Sequence, residues 1–243
     1  MSPFDDPHRG SIRIRGTRGW PVIHGVEPPH VPLSAADRNE LARIAEVVDF
    51  RTAASQIFRQ GDEASFVYLL VEGLVRTVHT NAEGERQVVA FHWPGDLFGL
   101  AEDGVHVSSA ETIIPARVYR FPCARLEPFL LRNPRIEDGF LVKAIHDLRN
   151  AQRQLIVMGR MDVVHRVAMF LLDCAGHDEF FEAATGILAL PMTQYDIADY
   201  IGTSAETVTR AITELARHSL VERIRPKRLR LDLAGLGTFA GFE

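Results

Sequence analysis

Only two cysteines, Cys123 and Cys174, occur in the 243 residues, and they do not form a CxxC pair. That leaves no zinc or disulfide framework to read and fits a reduced, cytoplasmic compartment. Long apolar runs are missing too: no stretch approaches the ~20 residues of a membrane-spanning helix. The N-terminal MSPFDDPHRGSIRIRG lacks the apolar centre of a signal peptide. Positive charge is not in excess, the formal net charge being −5. That average does not exclude a nucleic-acid partner, because DNA needs only a local basic face. Catalytic signatures are lacking as well. There is no HExxH, no GxSxG and no GxxxxGK[ST]. His79 and His92 do not form the histidine cluster of a metal-binding cupin. An enzyme is not expected.

What is present is an apolar share of 46%, enough for one or two packed domains. Residues 1–30, rich in Gly, Pro, Arg and His, show no period and read as a disordered or loosely attached tail. Ser34 then reads as the N-cap of a helix whose apolar face is Leu41, Ile44, Val47 and Val48. From Ala54 to Phe121 short β-rich runs alternate with turns, and Gly61, Gly73, Gly84 and Gly95 recur every 11 or 12 residues. Such spacing favours an antiparallel barrel or sandwich. A short helix is expected over 124–132, stopped before Asn133-Pro134. A long one follows over 134–161. Its apolar residues Leu141, Ile145, Leu148, Leu155 and Met158 lie near heptad spacing, as a coiled-coil dimer seam would place them; the alternative is an amphipathic helix packed on its own barrel. A second apolar helix is expected over 163–175, a loop over HDEFFEAATG and a strand over 187–190.

The informative segment is PMTQYDIADYIGTSAETVTRAITELARHSLVERIRPKRLRLDL. Thr193 suits the cap of a short helix over 194–200. Ile201-Gly202-Thr203 makes a turn, with Gly202 suited to the left-handed conformation of a tight helix corner. Ser204 or Thr203 caps the second helix, and Thr203-x-x-Glu206 fits a capping box. Val208, Ile212 and Leu215 form its inner face. Its outer face starts with Ala205, Glu206, Thr209 and Arg210, where a recognition helix carries its base-reading side chains. Glu206 can accept from cytosine N4 and Arg210 can donate twice to guanine. The same two residues also fit an ordinary i,i+4 surface pair. Beyond the helix, five cations stand in the eight residues from Arg223 to Arg230, flanking a proline turn. This reads as a β-hairpin wing. Arg223, Arg225, Lys227 and Arg228, with Thr193, Gln194 and Ser204 at the helix starts, are the expected phosphate contacts.

Over residues 34–233 the chain resembles the CRP/FNR family of bacterial transcription regulators. The resemblance rests on Phe58-Arg59-Gln60-Gly61-Asp62, Val67-Tyr68-x-x-x-Glu72-Gly73 and Pro94-Gly95-Asp96-Leu97-Phe98-Gly99 in the first half. In the second half it rests on Asp196-Ile197-Ala198-Asp199-Tyr200-Ile201-Gly202 and Glu206-Thr207-Val208-Thr209-Arg210. It implies an α+β chain: a cyclic-nucleotide-binding-type β-roll (a jelly roll) over 31–133, a dimerisation helix over 134–162 and a winged helix-turn-helix over 163–243. It also implies double-stranded DNA, a second copy of the chain and RNA polymerase as partners, with no membrane.

The family's sensing chemistries can be compared with these residues. The arginine that holds a cyclic nucleotide's phosphate is absent from Val107-Ser108-Ser109-Ala110-Glu111, so cyclic AMP is not expected. Residues 1–50 hold no cysteine, which excludes the N-terminal iron–sulfur cluster. Gly99 and Ala101 stand where carbon-monoxide sensors of the family place haem ligands. What remains resembles the FixK-type branch, without a cofactor. Two alternatives stay open: a haem-binding nitric-oxide sensor of the same family, with His92 as a candidate ligand, and a β-roll small-molecule module whose helix-turn-helix serves protein contacts.

Overall fold

A computed structural model describes residues 34–101 and 103–241; the expected tail over 1–30 lies outside them. The described chain divides into two compact units, one of residues 34–85 and 89–148, the other of residues 149–241 with residues 86–88.

The first unit opens with α1 (Ala35–Ile44). Ser34 Oγ accepts from the Asp37 amide at 3.1 Å and the Asp37 carboxylate accepts from the Ser34 amide at 2.8 Å, which satisfies two donors a helix start leaves unpaired. The helix ends earlier than its apolar pattern implied. Val47 and Val48 belong to β1 (Glu46–Phe50), opposite Tyr119 and Val118 of β6 (Ser109–Pro122). β-Branched valines suit a strand better than a helix, and the partner strand lies some seventy residues away, out of reach of a local pattern.

The sheet runs β1, β6, β3 (Phe66–Thr80), β4 (Arg86–His92). β2 (Gln56–Phe58) pairs with β6, and β5 (Leu97–Phe98) with β3. The long β3–β6 ladder shifts register between Leu70 and Val75. Gly73 sits inside this irregularity with φ +95°, and a Cβ there would lie 2.3 Å from the Pro115 carbonyl oxygen, so only glycine fits without displacing β6.

One face of the roll buries Leu69, Leu97, Tyr119 and Phe121 against Leu41, Leu126, Phe129 and Ile136. The last three come from α2 (Cys123–Arg132) and α3 (Pro134–Arg160). The other face is an aromatic cluster: Phe58 stacks on His106 at 3.7 Å and meets Tyr68, which stacks on Phe98, which stacks on His92. Lys143 of α3 is buried, its Nζ 2.5 Å from Asp147 and 3.7 Å from Asp96.

The second unit carries α4 (Val163–Ala175), whose start is capped by Asp162. A four-stranded sheet follows in the order β7 (Phe181–Glu182), β8 (Ile187–Ala189), β10 (Arg228–Leu231), β9 (Val221–Arg225). The expected loop over HDEFFEAATG thus contains a short strand, because Phe181 is buried opposite Leu188. Between β8 and β9 stand α5 (Gln194–Ile201) and α6 (Ala205–Arg217), and α7 (Leu233–Phe239) closes the unit.

Candidate nucleic-acid interface

The α5–α6 corner is built by local chemistry. Thr193 caps α5 in a capping box, but its partner is Asp196 at the third helical position. The Asp196 carboxylate accepts from both the Thr193 amide and hydroxyl at 2.7 Å. The box expected at Thr203 and Glu206 does not form. Ser204 is the cap of α6, its Oγ accepting from the Thr207 amide at 3.2 Å, and the Glu206 side chain is left to solvent. Gly202 takes the left-handed conformation, φ +69°, ψ +53°. Arg166 of α4 secures the corner by donating to the Ile201 carbonyl at 3.0 Å.

α6 buries Val208, Ala211, Ile212 and Leu215 and turns its other side outward. Two i,i+4 rows run along that side. One is polar: Glu206 and Arg210 have side chains 81% and 69% exposed and stand 4.0 Å apart, so neither is consumed by the other. Thr207 steadies the guanidinium, Oγ1 accepting from Arg210 Nη2 at 3.2 Å. The second row, Ala205 and Thr209, is partly buried. Thr209 Oγ1 donates to Gln194 Oε1 at 2.6 Å and lies 2.9 Å from the Ala205 carbonyl.

The wing is β9–β10, turning at Pro226-Lys227 with Lys227 at φ +63°. Its cations are not equivalent. Arg223 Nη2 donates to the Thr209 carbonyl at 3.4 Å, tying the wing to α6. Lys227 Nζ donates to the Pro191 carbonyl at 2.8 Å. Arg230 is paired with Glu222 across the hairpin. Arg225 and Arg228 are cross-strand partners, both exposed. The contacts of Thr207 and Gln194 were not read from the sequence. Thr207 lies three residues before Arg210 on one helix face, a local signal; the Gln194 contact joins two helices and has none.

Along α3, Leu141, Ile145, Leu148 and Leu155 are 59%, 43%, 59% and 71% exposed, and Val142 and Ile156 are exposed beside them. Met158 is partly buried and reaches toward Gly202. Cys174 is fully buried, which pushes its thiol well up, and burial raises Cys123 too; both are poor thiolates.

These geometries can be set beside known proteins. Residues 165–239 match the Crp-like helix-turn-helix domain and residues 52–133 the cyclic nucleotide-binding domain. The nitrogen fixation regulation protein FixK of Bradyrhizobium diazoefficiens is 31% identical over 208 residues, 86% of this chain and 87% of that one. The chain belongs to the CRP/FNR family of transcription regulators. It is a FixK-like member of that family. The transcriptional activatory protein AadR of Rhodopseudomonas palustris is 32% identical over 78% of this regulator and 79% of its own length. The structure of FixK2 from Bradyrhizobium japonicum superposes with a TM-score of 0.72 at 31% identity, covering 80% of this chain and 96% of that one. This regulator is therefore a DNA-binding protein with a cyclic-nucleotide-binding-type domain and a winged helix-turn-helix. Among its described residues no helix is long and apolar enough to cross a membrane.

Proposed function

We propose that this regulator binds an inverted-repeat, TTGA-like DNA site as a homodimer in the cytoplasm, without an iron–sulfur cluster and without cyclic AMP, and acts through RNA polymerase rather than by catalysis. The observation that carries the reading is the exposed Glu206–Arg210 row at the start of α6, with Arg210 steadied by Thr207. Arg210 reads the guanine of each half-site and Glu206 a cytosine paired near it. Ala205 offers only a methyl, so a second guanine is not required. Thr193, Gln194, Ser204 and the wing residues Arg223, Arg225, Lys227 and Arg228 contact phosphates.

The apolar residues of α3 support the dimer: Leu141, Ile145, Leu148 and Leu155 are a stripe that a second copy would bury, and two-fold protein symmetry matches a two-fold site. Two contacts in the roll support the reading without cyclic AMP. Arg76, opposite Glu111, is paired with it at 3.3 Å, and Ser109 Oγ accepts from the Gln60 amide. Haem ligation by His92 is not part of the reading, because its Nε2 is bonded to Thr77 Oγ1 at 2.6 Å. Selection of the full-length protein on random duplexes, without added nucleotide, tests the proposal. Inverted TTGA-like repeats are expected; GTGA half-sites, or no enrichment, would reject it.

A further inference from the structure

We infer that Lys143 is a positioning residue of the dimer. Its buried ammonium, held by Asp96 of the roll, fixes the rotation of α3 about its own axis and so aims the apolar stripe at a second copy. The inference rests on the α3 dimer proposed above and adds what orients it.

The face of α3 turned to the roll carries Ile136, Phe140, Lys143 and Asp147, spaced three or four residues apart. Ile136 and Phe140 pack in the apolar core. The next member of the row is a lysine whose side chain is 4% exposed. An apolar residue would continue the row more simply. Apolar contact is non-directional, however, and a helix held by it alone can roll. A buried charge is different, because moving it from its counter-charge leaves two buried charges unpaired. The counter-charge here is itself fastened. Asp96 Oδ2 accepts from the Trp93 amide at 2.9 Å, and the Asp96 amide donates to the Trp93 carbonyl at 2.9 Å. The same turn is tied to β3: the Gly95 amide donates to the Leu70 carbonyl at 2.7 Å, and the Leu70 amide to the Asp96 carbonyl at 2.9 Å. Asp96 Oδ1 then faces Lys143 Nζ at 3.7 Å. On the helix side Asp147, one turn on, holds the ammonium at 2.5 Å, which fixes where along α3 the charge sits. In the heptad that places Leu141 and Leu148 at d and Ile145 at a, Lys143 is at f, opposite the seam. Locking that position to the roll leaves Leu141, Ile145 and Leu148 pointing away from it, exposed for a partner.

Cysteine cross-linking of the full-length protein reads the rotation. Ile145→Cys, at position a, faces its symmetry mate and should form an interchain disulfide under mild oxidation. Val142→Cys and Ala144→Cys, at the flanking e and g positions, should not. The parent chain, with Cys123 and Cys174 alone, sets the background. The same three substitutions are then placed in Lys143→Met/Asp96→Asn, which removes both charges while the new amide can still cap the turn. That double variant should keep or raise its urea midpoint, because neutralising both partners of a buried pair leaves neither unpaired. Its α3 should nevertheless roll, so disulfide yield falls at Ile145→Cys and rises at a flanking position. With about a tenth of the molecules left in the dimer-competent rotation, affinity for the DNA site falls about tenfold. Asp147→Asn, at a half-exposed position, should shift the cross-links in the same direction by a smaller amount. A folded double variant with wild-type cross-linking and affinity overturns the inference. Should the double variant fail to fold, an unchanged pattern in Asp147→Asn overturns it. Absence of the Ile145→Cys disulfide in the otherwise wild-type chain is a separate outcome: it rejects the α3 dimer itself, and the inference with it.

Discussion

A Cβ placed on Gly202 would stand 2.9 Å from Met158 Cε, so the corner of the helix-turn-helix is closed by a methionine from the end of α3. The methionine tip can move aside; the backbone cannot, because Gly202 holds φ +69°. Gly202→Ala should cost ~1–2 kcal/mol through the left-handed conformation alone. Urea unfolding of the two proteins checks it, and an unchanged midpoint would mean that the corner relaxes.

Arg210→Ala should lower affinity for the selected site by ~1–3 kcal/mol and relax preference at one guanine per half-site. Binding to duplexes carrying each base at that position measures both effects. A uniform loss across all four would mean that Arg210 contacts phosphate instead.

Replacing Arg228 or Lys227 by alanine should weaken all sequences alike. Each should also reduce the slope of log affinity against log salt by about one unit. Titrations at several salt concentrations decide this, and a change in base preference would contradict the assignment.

Leu148, 59% exposed on α3, should carry the dimer. Leu148→Glu would bury a charge against its symmetry mate and should give a largely monomeric protein with weak DNA binding. Sedimentation at low micromolar concentration checks it; a persistent dimer would place the seam elsewhere.

His92 predicts a pH dependence. Burial, with the Lys143 charge beside it, pushes its pKa from 6.5 down to about 3, Asp147 opposing in part. The folded state keeps His92 neutral, whereas the unfolded chain protonates it below pH 6.5. Stability from this group is complete above that pH and declines as pH falls toward 3, by up to ~1.4 kcal/mol per unit. Between about pH 7.5 and about pH 5 the loss should be ~2 kcal/mol, and absent in His92→Gln. Equal pH dependence of the two urea midpoints would show that His92 does not titrate in this window.

The readable parts of this protein were those whose cause lies within a few residues. Ser34, Thr193 and Ser204 cap helices by bonding three positions on, and Gly202 turns the chain by itself. The choice between Thr203 and Ser204 as the cap of α6, and with it the expected Thr203–Glu206 box that does not form, turned on a one-residue difference in helix start that a pattern does not resolve. Val47 and Val48 continued a helical period, yet pairing with β6 outweighed it. The burial of Lys143 on α3 had no local signal, because Asp96, which meets its charge together with Asp147, lies outside that helix.

Taken alone, the sequence determined the order of β-roll, long helix and helix-turn-helix, and which residues of α6 face outward, since periodicity and caps are local properties. Only the tertiary structure decided which of those outward groups are still available. Thr209 has spent its proton on Gln194, Arg230 its charge on Glu222, and Arg223 reaches back to α6. Each depends on two elements brought together by packing, which a pattern local to one element does not contain.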